Sequence, residues 1–344
     1  MVECNLAKVE VAGSNPVSRS NKTVPHLSGG IAKWLRQRSA KPLFTGSSPV
    51  AASNYLSLAR LFLLMKPVTF FLAFSWLLFY SFPLKGEEKA TLPKIHWQTL
   101  SSGLSFNRWE VRSEKSPANI ITILRLDPHF WSSRVYFNRG PLSIKEWQQK
   151  TGAPVICNGG FYQENFEPAG RILSNGLSLG PFKNRHMKGM FLSEPKKGFE
   201  NLPKTILIDL KNSKGEEQIS YYEQGIQSFP ILLDPQGRVR VNPSSFQANR
   251  TVLAQDEKGF LYVLIAEKPY FTLYDLGYYL KSLPLGFQFI LNLDGGSRTQ
   301  LLIQLKGFHY LFTGQESRSE TTRLFFPEPQ RLPSVIGFFP RTNP

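Results

Sequence analysis

Three almost unbroken apolar runs stand out when hydrophobic and polar positions are marked along the chain: Val155 to Cys157, Phe260 to Ala266 and Phe289 to Leu293. Runs of this length with little polar alternation predict strands covered on both faces, so all three are expected to be central in a sheet. Ala118 to Leu126 is β-branched, alternates toward its end and stops at Asp127-Pro128, which predicts a further strand with a turn behind it. Two stretches switch to helical spacing. Ser143 to Thr151 follows Pro141, with Ser143 as N-cap and Glu146 three residues later as a capping box, and Trp147 is expected to pack on the sheet. Thr272 to Leu283 sets Leu273, Leu276, Tyr279 and Leu280 on one face, with Thr272 as its cap. Between Ile172 and Arg240 short strands alternate with turns at Asn175-Gly176, Glu194-Pro195, Lys214-Gly215 and Asp234-Pro-Gln-Gly237. Another turn, Asp256 to Gly259, precedes the Phe260 run, and the Pro-rich tail after Gly314 ends in a candidate last strand, Val335 to Phe339. The pattern predicts one α+β domain, a mixed or mostly antiparallel β-sheet core flanked by a few helices.

The first 64 residues do not follow this pattern. They contain a short repeat, Ala12-Gly-Ser-Asn-Pro-Val-Ser-Arg-Ser-Asn21 echoed by Thr45-Gly-Ser-Ser-Pro-Val-Ala-Ala-Ser-Asn54, too small to bury a core. Gly-Ser-Asn/Ser-Pro is what the TψC arm of a transfer RNA gene gives when translated in one frame, and Gly30-Ile-Ala-Lys-Trp34 fits the 5′ end and D-arm of such a gene. The expectation is that residues 1–64 are translated from transfer RNA genes upstream of the true start. A basic tail that binds nucleic acid is the competing reading, favoured by charge alone. Met65-Lys66-Pro67 then opens a secretory signal over residues 65–86, whose apolar run Val68 to Phe82 suits a signal better than a bilayer span of about 20 residues. An uncleaved anchor through 61–84 is the alternative. Either way the remainder is expected to be periplasmic or secreted. Residues 87–108 read as a polar linker and lead-in, and 109–344 as the folded domain.

This division changes the charge balance. Of the formal net charge of +16, residues 1–64 carry +6 and residues 65–86 carry +2, leaving +8 on Glu87–Pro344. That is moderately basic, compatible with anionic ligands, and gives no reason to expect nucleic-acid binding. Beyond Cys4 the only cysteine is Cys157, inside an apolar strand, so no internal disulfide is expected and a buried core role is favoured over a nucleophile.

The candidate chemistry sits at two strand ends with one grammar. Phe289 to Leu293 breaks at Asp294-Gly295-Gly296 before a second apolar run, Leu301 to Leu305; alone, Asp-Gly between such runs signals a hairpin. Val155 to Tyr162 also ends in a polar residue and two glycines, Asn158-Gly159-Gly160. The shared pattern predicts that Asn158 and Asp294 meet in one cleft, with the glycines letting a ligand approach the backbone. His186, in the basic loop Lys183 to Lys188, is a candidate general acid and Glu164 a candidate second acid, and for both a surface position is the favoured reading.

These motifs carry a family resemblance. Asn158-Gly-Gly-Phe-Tyr162, then Pro168-Ala-Gly170 and Asn175-Gly176, resemble the first half of the phosphodiester glycosidase domain. The likeness continues in order through Gly225-Ile-Gln-Ser-Phe-Pro230, Asn249-Arg-Thr251 and Asn292-Leu-Asp-Gly-Gly296, spanning Trp109 to Ile336. Phe229 stands where relatives usually have Gly, Ser297-Arg298 where a third Gly and a Ser are common, and Ala254 replaces the usual Gly after the Arg-Thr segment. The resemblance implies a hydrolase that cleaves a sugar's anomeric carbon from a phosphodiester, with a phosphate-bearing glycan or sugar phosphodiester as partner. That chemistry asks for an anion clamp, a carboxylate beside the developing oxocarbenium ion, and activated water. Arg250 is the clamp candidate, because a guanidinium matches phosphate oxygens bidentately. Asp294 is the carboxylate, and Asn158 is expected to orient the sugar. Gly159, Gly160, Gly295 and Gly296 are expected to give backbone access, and Gln227 and Ser228 to bind substrate. No metal and no cofactor are expected. A glycan- or envelope-binding module of the same fold without turnover, motivated by Phe229 and Ser297-Arg298, and a secreted phosphoesterase are the competing functions. N-terminal peptide mapping of the natural protein is expected to find nothing from before Met65; a peptide from that region contradicts the mis-start reading.

Overall fold

A computed structural model of the chain describes residues 93–113, 116–211, 214–314 and 329–342. The repeat, the apolar run at 61–84 and part of the Pro-rich tail therefore lie outside the described residues. Among the described residues, no helix is long and apolar enough to cross a membrane.

The chain is largely sheet. Among the described residues seventeen strands form three sheets, and every pair of these strands is antiparallel. The first sheet has seven strands in the order β1 (Gln98–Ser101), β2 (Leu104–Ser113), β3 (Ser116–Leu126), β13 (Leu261–Ala266), β12 (Arg250–Asp256), β14 (Phe287–Asn292) and β11 (Ile231–Leu233). The second runs β7 (Leu177–Leu179), β6 (Ile172–Ser174), β10 (Tyr222–Ser228), β8 (Gly189–Pro195) and β9 (Thr205–Asp209). The third runs β16 (Phe308–Thr313), β15 (Gln300–Leu305), β5 (Val155–Asn158), β17 (Leu332–Pro340) and β4 (Trp131–Leu142). The predicted α+β class is thus correct in its antiparallel core and overstates the helices, of which the described residues hold three short α-helices.

The apolar runs are central as their composition requires. β13 lies between β3 and β12, β14 between β12 and β11, and β5 between β15 and β17. In β13, Leu261, Val263 and Ile265 face the core shared by the three sheets, while Tyr262, Leu264 and Ala266 face the other side. That second face is covered by α3 (Leu273–Ser282), capped by Thr272, whose hydroxyl accepts from the Asp275 amide at 3.0 Å. Both faces are buried, and this is why the run shows no polar alternation. α1 (Ile144–Thr151) starts with the expected capping box and ends at Gly152, whose φ of 68° suits glycine. Its Trp147 is buried against Ile156, Leu302 and Val335 on the outer face of the third sheet, and its indole N–H donates to the Leu332 carbonyl at 2.8 Å. A shorter helix, α2 (Gly215–Ile219), closes the outer face of the second sheet.

The hairpin that an isolated Asp-Gly would signal does not form here. β14 and β15 do not form a hairpin around Asp294-Gly295: β14 belongs to the first sheet and β15 to the third. The segment is instead a crossing between sheets, and a 3-10 turn at Gly296–Arg298 redirects the chain. Because Trp147 combines a large buried area with a satisfied N–H, Trp147→Ala should cost about 3–5 kcal/mol in urea unfolding. Ser143→Ala should cost about 1 kcal/mol, the loss of one cap.

Candidate active site

Asn158 ends β5 and is buried, and its side chain meets protein on every side. Its Nδ2 donates to the carbonyls of Asp294 at 2.8 Å and Gly159 at 3.2 Å. Its Oδ1 accepts from the Thr251 hydroxyl at 2.7 Å and the Gln300 amide at 3.0 Å. One amide thus joins β5, β12, the β14–β15 crossing and the start of β15, two strands of the third sheet to the first. These four bonds fill its donors and acceptors, so Asn158 positions the Asp294 turn, and the sugar-orienting role expected of it has no free valence.

Around this tie the crossing is fixed closely. The Leu293 amide donates to the Thr251 carbonyl at 2.9 Å, and the Gly296 amide to the Asn249 carbonyl at 2.8 Å. The Asp294 carboxylate is buried; its Oδ1 accepts from the Gly295 amide at 2.8 Å, and its Oδ2 lies 3.9 Å from the Arg298 Nε. Arg298 is buried too, with its guanidinium carbon 4.5 Å from the centre of the Tyr162 ring. The carboxylate and the aromatic face therefore both engage one cation.

Arg250 begins β12 beside this turn. A Cβ built on Gly295 would lie 3.8 Å from both the Cα and the Cδ of Arg250, so its stem runs along the glycine that follows Asp294. The guanidinium is buried, donates through Nη2 to the Phe246 carbonyl at 3.0 Å and lies 5.2 Å from the Phe246 ring centre. Its Nε has no hydrogen-bond partner, and no carboxylate pairs with it among the described residues. Burial pushes its pKa down to about 10. A buried cation without a counter-ion is costly, and an anion arriving beside it removes part of that cost. The Tyr162 hydroxyl and the Asn292 Oδ1, at the ends of the same two motifs, are also buried without hydrogen-bond partners among the described residues.

The other candidates are built into the scaffold. Gly159 donates its amide to the Ser334 carbonyl at 2.9 Å, and a Cβ there would sit 2.4 Å from the Ser334 Oγ. A Cβ on Gly295 would lie 2.8 Å from the Asn249 carbonyl oxygen, and one on Gly160 3.1 Å from Ile226. Gly296 has φ 64° and ties back to β12. These glycines therefore permit close packing and a turn; the backbone access expected of them is taken up by neighbouring strands. Gln227 accepts from the Arg171 amide and donates to the Asn184 and Met187 carbonyls, and the Ser228 hydroxyl donates to the Asn292 carbonyl at 2.6 Å. Both side chains are thus engaged with neighbouring backbone. Glu164 and His186 are exposed, and Cys157 is fully buried, its thiol pushed far up by desolvation. Phe229 packs on Phe161 with ring centres 4.7 Å apart and the planes tilted by 39°. Among the described residues no group of three or more His, Cys, Asp or Glu side chains could hold a metal ion. A surface concavity bordered by Asp209, Lys211, Arg238 and Arg240 shares no residue with this cluster, and its arginines are paired with Asp209 and Asp234.

Comparison with known proteins follows the same residues. A family model described as phosphodiester glycosidase matches residues 151–339, more than half of the chain and inclusive of Asn158, Arg250 and Asp294. Among solved structures, the catalytic domain of zebrafish N-acetylglucosamine-1-phosphodiester alpha-N-acetylglucosaminidase, auto-inhibited by pro-peptide, is similar with a TM-score of 0.53 at 15% identity, over 73% of this chain and 87% of that one. A hypothetical protein from Synechocystis is similar with a TM-score of 0.48 at 18% identity, over 73% of this chain and 65% of that one. No curated protein sequence matches.

Two outcomes test the geometry. Asn158→Leu strands the Thr251 hydroxyl, the Gln300 amide and the Asp294 carbonyl, and should cost roughly 2–4 kcal/mol of stability by denaturant unfolding. Arg250→Met should leave the melting temperature unchanged or higher, since it removes an uncompensated buried charge. It should also abolish the rise in melting temperature that inorganic phosphate gives the wild type. The lowered pKa fixes the sign of the pH effect. Above about pH 10 the unfolded chain keeps the Arg250 proton more fully than the folded one, so this residue's penalty is in force below about pH 10 and fades above it.

Proposed function

The chain belongs to the phosphodiester glycosidase family, a family of hydrolases, and we propose that it cleaves the bond between a sugar's anomeric carbon and a phosphodiester outside the cytoplasm. The observation that carries this reading is a buried guanidinium with no carboxylate partner among the described residues, Arg250, lying against the glycine that follows a buried carboxylate, Asp294.

The reaction breaks the bond from the anomeric carbon to the bridging phosphate oxygen, and a water oxygen takes that place on the sugar. The water's proton ends on solvent or on the departing phosphate. Because phosphate monoester is already a good leaving group, the chemistry needs less from a general acid than an ordinary glycoside does. Arg250 would hold the phosphodiester anion through its Nε and second amino group, and the charge on the departing phosphate would strengthen that contact as the bond breaks. Asp294, held by the Gly295 amide and drawn toward Arg298, would face the positive charge that develops on the sugar, or take the proton from attacking water. The Tyr162 hydroxyl would then be available to a leaving or attacking oxygen. An extracytoplasmic location rests on the apolar run that follows Met65.

Kinetics on a sugar 1-phosphodiester with a chromogenic aglycone test the assignment. Asp294→Asn should lower kcat at least about a thousandfold while leaving the unfolding midpoint within about 1 kcal/mol, since Asn keeps the turn. Arg250→Lys should raise KM about tenfold or more, because an ammonium cannot reproduce the guanidinium fork. Retained glycan binding with no turnover in the wild type would favour a binding module instead.

A further inference from the structure

Building on the function proposed above, we infer that the loop from Pro181 to Lys188 is a subsite for a phosphate-bearing glycan chain that continues beyond the bond being cut. The loop carries Lys183, Arg185, His186 and Lys188 and no acidic residue. Lys183, Arg185 and His186 are exposed, and no carboxylate pairs with them among the described residues. Acids on neighbouring segments have other partners: Glu216 lies 3.4 Å from Arg171, Glu167 pairs with Arg139, and Asp209 pairs with Arg240.

The loop's backbone is held in place from below. Arg171, itself buried, donates to the Phe182 carbonyl. Gln227 donates to the Asn184 carbonyl at 3.2 Å and the Met187 carbonyl at 2.8 Å, and the Asn184 side chain returns a bond to the Ala169 carbonyl at 2.8 Å. Phe182 is 75% exposed although its ring centre lies 3.9 Å from the Arg171 guanidinium carbon. A phenyl ring that exposed is normally folded away from water. Here the guanidinium supports one face and leaves the other outward. An outward aromatic face flanked by exposed cations matches the two features of a phosphoglycan, an apolar sugar-ring face and a phosphate beside it.

Its place relative to the catalytic residues sets the substrate class. Gln227, which holds the loop, is followed by Ser228, whose hydroxyl binds the Asn292 carbonyl two residues before Asp294. On the other side the loop rests on Ala169 and Gly170, and the Ala169 amide is bonded to the Phe161 carbonyl at 3.0 Å, next to Tyr162. The loop and the Asp294 turn are thus linked through two short runs of contacts, one by way of Gln227, Ser228 and Asn292 and one by way of Ala169, Phe161 and Tyr162. A substrate long enough to engage both would carry phosphodiesters at more than one position, so the natural substrate class is a phosphodiester-linked polysaccharide, with a small sugar phosphodiester the lesser one.

The test compares three forms of the full chain: wild type, Lys183→Ser/Arg185→Ser, and a charge-matched control, Lys145→Ser/Lys258→Ser, in which both lysines are exposed and distant in sequence. Binding of fluorescent linear polyphosphate and of a phosphodiester-linked polysaccharide should weaken roughly tenfold in the loop variant and less than about twofold in the control. Phe182→Ala should weaken the polysaccharide and leave polyphosphate unchanged. Hydrolysis of a small sugar 1-phosphodiester should be the same in all forms. Equal losses in the loop variant and the control, or unchanged binding in the loop variant, overturn the proposal. So does loop-dependent capture of phosphatidylglycerol-containing vesicles without polysaccharide binding, which would make the loop a membrane contact. Loop-dependent polysaccharide binding in a protein that hydrolyses no sugar 1-phosphodiester would sink the catalytic reading and leave the subsite standing.

Discussion

The side-chain amide of Asn158 is the constraint on which the candidate site depends. It bonds the Asp294 carbonyl, the Thr251 hydroxyl and the Gln300 amide at once, so the strand ends β5, β12 and β15 and the crossing after β14 occupy one fixed arrangement. Each bond is worth only about 1 kcal/mol net, yet losing the amide leaves several buried groups without partners, and that asymmetry makes the tie rigid. Its effect is to turn a junction between sheets, ordinarily a place of loose loops, into a position where a carboxylate can be held buried.

Around that tie the molecule accepts electrostatic cost. Arg250 and Arg298 are both buried within reach of one short turn, and burial lowers the Arg250 pKa to about 10. A chain selected for stability alone would place apolar residues there. Burying a guanidinium beside Gly295 makes sense if an anion shares the space for part of the catalytic cycle, because the low-dielectric surroundings that penalise the lone cation also strengthen its hold on phosphate. Arg298 adds a second positive charge to the turn that bears Asp294.

Much of the scaffold was legible because it is local. The capping box at Ser143 and Glu146 is written in four consecutive residues, and the both-faces-buried character of β5, β13 and β14 is written in their composition. What was not legible is choice of partner. Asp294-Gly295 looks like a hairpin turn, and nothing within the segment says that β15 pairs with β5 and β16 instead of β14. The same blindness affected the polar residues. Asn158 was found by its place at a strand end, but its role depends on Thr251 and Gln300, 93 and 142 positions away. Gly159 and Gly295 were read as openings for a ligand, whereas Ser334 and Asn249 press against them. Arg298 was visible only as a departure from a family pattern, and Arg171 carried no signal, since neither spacing nor composition reveals that a surface-type residue is buried beneath a loop.

The proposed function makes one central chemical claim, that water attacks carbon and not phosphorus. Hydrolysis of a sugar 1-phosphodiester in water enriched with heavy oxygen, followed by mass spectrometry of both products, tests it directly. The expected result is label on the anomeric oxygen of the sugar and none in the phosphate; label in the phosphate would contradict it and make the protein a phosphoesterase.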